Sequence, residues 1–408
     1  MGALRWITAG ESHGPGLTVI VEGLPAGLPI DAAAIREQLA RRQRGYGRGG
    51  RMKIETDTAQ IRSGVRHGLT LGSPLALWIE NRDHGSGKGP DGRPWVETMA
   101  VEPIEGESQR VTRVRPGHAD LAASLKYQYD DVRNSLERAS ARESAARVGA
   151  GAVARRLMEE LGATFHSQVV RIGEVTTDTN DGRSPADIDW EAVESSEVRC
   201  ANKEVGELMI AAIDAAKAEG DTLGGVVEAR VSGVPFGLGS HVHWERKLEG
   251  RIGSALLSMN AFKGVEFGDG FRGAGRRGSQ VHDVVLPESE WQGRPWRRAS
   301  NHAGGIEGGI SNGEEIVVRV AVKPIATLAK PLASADLDSG ERVEAHYERS
   351  DVCVVPAAGV IVEAMLALVL ADAALEKFGG DHLDETRRNL HAFERTLGPR
   401  AGGGVGEG

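Results

Sequence analysis

The chain has 408 residues, 40% hydrophobic and 26% charged, with a formal net charge of −9, an ordinary globular composition with room for a large core. No run approaches the roughly 18 uncharged apolar residues of a membrane span, and an acidic chain lacks the general positive field that nucleic acid or an anionic lipid surface requires. Any cationic site has to be local.

In chain order, residues 4–9 read as a strand, 10–16 as a glycine-rich turn and 17–22 as a second strand. Asp31 caps a helix through Ile35, Leu39 and Arg42, stopped by the glycines of 45–50. Strands are expected over 52–59 and 70–80, with a flexible loop over 85–92. Residues 119–161 are helical in character, with Leu121, Leu125, Val132 and Leu136 on one side and a break near Ser140. Amphipathic helices follow at 203–219 and 246–262, and a long, very apolar one at 357–378. That last helix is more hydrophobic than a surface helix requires, so it is expected to face a subunit interface. Strand-like runs lie at 169–175, 223–231 and 315–322. The mixture of helix and strand blocks, without linker or repeat, predicts one α+β domain over 1–397 and a disordered glycine-rich tail over 398–408. Cys200 and Cys353 are too few for a disulfide framework or a cysteine zinc site and read as buried thiols. With no secretory signal at the N-terminus, a cytoplasmic location is expected.

Four segments carry candidate chemistry. Gly10-Glu11-Ser12-His13-Gly14 fits the G-x-S-x-G pattern of a hydrolase, but a nucleophile elbow leads from strand into helix, whereas Pro15, Gly16 and a β-rich run follow here. His13 is the other candidate in this turn, as a ligand-facing imidazole or a plain surface residue. Arg41, Arg42, Arg44, Arg48, Arg51 and Lys53 form a cationic run that suits a clamp for carboxylate or phosphate; an RNA-binding Arg-Gly segment and a solvated basic face are the alternatives. In Arg113-Val114-Arg115-Pro116-Gly117-His118-Ala119-Asp120, two arginines and a histidine precede a helix start, where an anion is favoured and where His118 could equally be a cap. Residues 137–144 set small side chains among charges, as needed where backbone approaches a phosphate or a flat ring, or as found on a solvated helix. Gly268-Asp269-Gly270-Phe271-Arg272-Gly273 fits G-x-G-x-x-G, but no helix is expected after it, so a Rossmann fold is excluded. No metal-site motif is found.

Together these segments resemble the chorismate synthase family, from Leu4 to about Leu397. The resemblance rests on Gly10-Glu11-Ser12-His13-Gly14 through Glu22-Gly23-Leu24-Pro25, on residues 137–153, and on Arg349-Ser350-Asp351-Val352-Cys353 through Glu363-Ala364-Met365. Shorter matches are Gly45-Tyr46-Gly47-Arg48-Gly49, Arg115 to Asp120, Gly308 to Gly313 and Lys323 to Thr327. The loop at 85–92 looks like a variable insertion. The resemblance implies a single-domain β-α-β sandwich assembling as a homotetramer. It also implies anti 1,4-elimination of phosphate from 5-enolpyruvylshikimate 3-phosphate to give chorismate, the last common step of aromatic amino-acid biosynthesis. Reduced FMN would be required but not consumed, with NADPH as a candidate reductant and with neither nucleic acid nor membrane as partner. By the same resemblance, His13 stabilises the departing phosphate, His118 protonates the reduced flavin and Asp351 takes a proton relayed from it. Substrate or NADP contacts fall on Ser12, Arg42, Arg48 and Arg142. Flavin contacts fall on Arg138, Ala139, Ser140, Asn260, Ala261, Gly308, Lys323, Pro324, Ile325, Ala326, Thr327 and Arg349.

Overall fold

Two antiparallel sheets owe their inner faces to alternating apolar residues. In the computed structural model, which describes residues 3–49, 56–106, 109–177, 188–287, 296–348 and 351–398, the first sheet has the order β1-β2-β4-β3. Its strands are β1 (Arg5–Ala9), β2 (Gly16–Glu22), β3 (Ala59–Ser63) and β4 (Leu75–Glu80). Leu17, Val19 and Val21 of β2 and Leu75, Leu77 and Ile79 of β4 point into the core. The second sheet has the order β8-β9-β7-β5-β6, built from β5 (Thr164–Ile172), β6 (Val175–Thr176), β7 (Gly225–Ser232), β8 (Phe262–Phe267) and β9 (Ile316–Val322). It buries Val227, Ala229 and Val231 against Ile316, Val318 and Val320.

Helices pack between and around the sheets. α1 (Ala32–Gln43) starts at Asp31, whose side chain accepts from the Ala33 amide at 2.9 Å. The exposed α2 (Asp120–Tyr127) is followed by α3 (Ser144–Glu160), which packs on β2. Next come α4 (Lys203–Glu219) and α5 (Leu248–Leu257), and the chain closes with α6 (Val355–Phe378) and α7 (Leu383–Glu394). α6 lies against α3 on one side and β5 and β7 on the other, completing a sheet–helix–sheet sandwich within an α+β fold. By length and composition α6 could cross a membrane. It is instead buried within the protomer, between α3 and the second sheet. The expectation that it faces a subunit interface is therefore corrected: it is strongly apolar because its own chain surrounds it.

Gly151 sets the α3–α6 approach. A Cβ there would stand 2.4 Å from the Ala364 Cβ and 2.7 Å from its backbone oxygen. Gly151→Ala is therefore expected to destabilise the protein by about 1–3 kcal/mol through overpacking, despite the higher helix propensity of alanine, read as a lower urea midpoint.

Several boundaries differ from expectation. The stretch 119–161 is broken twice: at Gln128, left-handed with φ 56°, and at Ser140, extended with its Oγ capping the Arg142 amide. The first break redirects the chain, so Leu121 and Leu125 are exposed while Val132 and Leu136 enter a small separate core with Val111 and Val114. The helix expected to Phe262 ends at Leu257, and Ala261, at φ 68°, turns the chain into β8. The strand expected over 70–80 begins only at Leu75, after Pro74, which donates no hydrogen bond. Of the strand expected over 52–59, residues 52–55 lie outside the described residues, as do 399–408 of the tail. Residues 82–86, overlapping the predicted loop, form a helical turn. Both cysteines are buried free thiols, and burial pushes Cys353 up to about 11.

Candidate active site

The turn between β1 and β2 requires glycine at position 10, where φ is 108° and a Cβ would meet the Gly16 carbonyl oxygen at 2.3 Å. Asn81, at the end of β4, ties the turn down by donating to the Glu11 and Gly14 carbonyls at 2.9 and 2.8 Å. The buried Ser12 donates its amide to the Glu137 carbonyl, and the Ser140 hydroxyl donates to its Oγ at 3.2 Å. His13 places Nδ1 3.0 Å from both oxygens of the Glu137 side chain.

Beside this turn three arginines gather. Arg42 and Arg142 are both buried and both bond Asp57, at 2.9 and 2.5 Å, while Arg142 also reaches Asn81 at 2.9 Å. Burial would raise the Asp57 carboxyl, but the two guanidiniums outweigh it and hold it low. Burial lowers Arg42; Asp57 opposes this, while Arg142 and Arg48 add to it. Arg48 is thus close to the pair. It meets Asp351 at 3.2 Å, and the other Asp351 oxygen accepts the Gly49 amide at 2.6 Å.

The second histidine is held by its own segment. His118 Nδ1 lies 2.5 Å from Asp120, which also accepts from Arg115 at 2.7 Å. Burial would raise Asp120, yet the hydrogen bonds from His118 and Arg115 keep it below the usual carboxylate range. Arg115 reaches Glu348 at 3.6 Å. Glu348 is held down to about 2, where His346, Arg115 and the more distant Arg133 overcome the effect of burial. Because Arg133 bonds Glu137 at 3.0 Å, one run of alternating charges links the His13 and His118 segments.

Comparison with known proteins decides what this arrangement belongs to. Residues 4–375 match the family model described as chorismate synthase. A chorismate synthase of Symbiobacterium thermophilum is 53% identical over 97% of this chain and all of its own length, and one of Desulforudis audaxviator is 55% identical over 98% and 100%. The chain belongs to the chorismate synthase family. A crystal structure of chorismate synthase, 42% identical, superposes with a TM-score of 0.76 over 97% of this chain and 98% of the other. The chain is accordingly a lyase.

Most of the residues to which the chorismate synthase resemblance assigns flavin contacts form one surface. Arg138 donates to the Thr8 and Gly10 carbonyls, and Asn260 donates to the carbonyls of Ala139 and Ser140 at 2.8 and 3.1 Å. Ala261 accepts the Lys323 amide at 2.9 Å, and Lys323 Nζ reaches the Gly117 carbonyl at 2.9 Å. A Cβ added to Gly117 would stand 3.9 Å from that of Ala326. Pro324 follows on from Lys323, the Ile325 carbonyl accepts from Thr222, and Thr327 stands 3.4 Å from Arg115. Gly308 is the exception. It turns the hairpin Ile306–Ser311 beyond the Ile316 end of β9, whereas Lys323 follows the Val322 end. The seven-residue strand between them spans about 23 Å, so in the protomer Gly308 lies beyond the opposite end of β9 from this surface. Arg349 lies outside the described residues.

Sequence reasoning gave no role to Glu137, Arg133, Asp57, Asn81 and Glu348. Arg133 and Glu137, at i and i+4, carried a signal, the spacing of a helical ion pair. The others come from distant segments and carried none.

Proposed function

We propose that the chain converts 5-enolpyruvylshikimate 3-phosphate to chorismate by anti 1,4-elimination of phosphate, with reduced FMN required and regenerated. The observation that carries this reading is the local concentration of guanidinium groups in an acidic chain, with Arg42, Arg142 and Arg48 around Asp57 and Asp351, joined through Asn81 to the turn that bears His13. A substrate with two carboxylates and a phosphate needs such a place.

The residues also fit a flavin phosphate and ring. Burial, then the neighbouring Lys263, lowers Lys323. Its ammonium bonds a carbonyl and has no carboxylate partner among the described residues, so an anion would relieve it. Ala139, Ser140 and Ala261 have small side chains that would let a flat ring approach. When bound, reduced flavin supplies transient electron density that weakens the C–O bond to phosphate. His13 would donate a proton to the departing phosphate, His118, oriented by Asp120, would hold a proton at the ring system, and Asp351 would accept one at its carboxylate. We further propose a cytoplasmic homotetramer; Ile7, Trp244 and Phe271, all largely exposed in the protomer, support additional contacts, and a neighbouring copy could bring Gly308 to the flavin surface.

Lys323→Met should weaken FMN binding about tenfold or more, the loss of one charge-assisted contact, measured by quenching of flavin fluorescence. The reading itself is tested anaerobically. One dose of photoreduced FMN should support many turnovers of chorismate, and oxidised FMN none; parallel assays with NADPH show whether the chain reduces its own flavin. Chorismate formed with oxidised FMN alone, or flavin oxidised once per product, would exclude it.

A further inference from the structure

The surroundings of His13 specify more than its presence. The Glu137 side chain, buried at 1% exposure, accepts twice from one residue: the His13 amide at 2.8 Å and Nδ1 at 3.0 Å. Arg133, one helical turn earlier, pins the same carboxylate at 3.0 Å. Against the flat side of the imidazole lies Trp95, with ring centroids 3.9 Å apart and planes 12° from parallel. The Arg133 guanidinium sits over that indole at 5.3 Å. The segment bearing Trp95 is shaped for this stack, because a Cβ on Gly87 would come within 2.8 Å of the indole Cδ1. His84, from the same segment, places Nδ1 3.0 Å from the His13 carbonyl.

A carboxylate only accepts hydrogen bonds, so the ring nitrogen facing both of its oxygens has to carry the hydrogen. A half-turn of the ring would put a C–H there instead, and the flat contact with Trp95 opposes that rotation. We propose that Glu137 and Trp95 are positioning residues that hold His13 as the Nδ1–H tautomer, so that Nε2 is the atom that carries the proton to the departing phosphate. The proposal rests on the chorismate synthase reading above. The segment that resembles a variable insertion thereby acquires a task, since it carries Gly87 and its flanks carry His84 and Trp95.

The test reads the tautomer directly. In full-length protein labelled with 15N-histidine, long-range 1H–15N spectra, with His13 assigned from its absence in His13→Asn, should show neutral His13 protonated at Nδ1. Glu137→Gln offers an amide hydrogen in place of a carboxylate oxygen and should shift His13 toward the Nε2–H form. It should lower kcat about 10²-fold with substrate KM within about threefold, as for an interaction made only in the transition state. Glu137→Asp should recover part of the rate, and Trp95→Phe should keep both stack and tautomer. An Nε2–H imidazole in the wild type, or a wild-type kcat in Glu137→Gln, would overturn the proposal; if that variant did not fold, the wild-type spectrum decides alone. A wild type that makes no chorismate yet shows Nδ1–H would remove the reaction and support the tautomer. One that makes chorismate with Nε2–H would remove only the positioning role.

Discussion

Glu363→Ala is expected to destabilise the protein by about 3–5 kcal/mol, the range for removing one partner from a buried ionic cluster. Glu363 lies on α6 with its side chain 1% exposed, and accepts from Arg41 at 2.7 and 3.0 Å, Arg155 at 2.7 Å and Ser167 at 2.5 Å, with Arg199 at 3.6 Å. Burial alone would raise its carboxyl; Arg41, then Arg155 and Arg199, reverse this and hold it at about 2. Removing it leaves guanidiniums in the core with less counter-charge, so Glu363→Gln, which keeps the volume but not the charge, should lose most of the same stability. The folded carboxyl titrates below the roughly 4.3 of an unfolded glutamate. Its contribution is therefore complete above about pH 4.3 and disappears as pH falls toward 2. Urea midpoints of wild type and variant should differ widely at pH 7 and converge in acid. A difference below about 1 kcal/mol at pH 7, less than a buried charge requires, would show that the cluster is not a net support.

His118→Ala is expected to lower kcat about 10²- to 10⁴-fold, the usual cost of removing a positioned proton donor, while FMN affinity changes little. The geometry separates these effects: the imidazole is anchored to Asp120, whereas the neighbouring Lys323 bonds the Gly117 carbonyl through backbone that the substitution leaves intact. Asp120→Asn should also slow turnover, because an amide can donate to Nδ1 and invert the tautomer. Flavin titration by fluorescence and single-turnover rates under anaerobic conditions give the two quantities. A normal rate in His118→Ala would take the residue out of the mechanism, and a large loss of FMN affinity would make it a binding residue instead.

Much of the fold was legible because its signals are local. Asp31 before an apolar period marked α1, the 203–219 helix came out with its bounds as observed, and apolar strand-like runs marked β7 and β9. Helix ends were less legible. Gln128 and Ala261 adopt positive φ without being glycine, a choice enforced by surrounding packing that leaves no mark in propensity.

The same division holds for the site. Sequence by itself determined the family and the residue types: His13 in a glycine turn, His118 after Pro-Gly, and an arginine run in an acidic chain. Only the tertiary structure decided their partners. Asp57 reaches Arg142 across 85 positions, Glu137 reaches His13 across 124 and Gly49 reaches Asp351 across 302. It also decided that α6 is a core helix and that Gly308 and Lys323 lie beyond opposite ends of β9. Composition and periodicity report what each segment must bury, whereas a hydrogen bond between distant segments depends on how the sheets and helices stack.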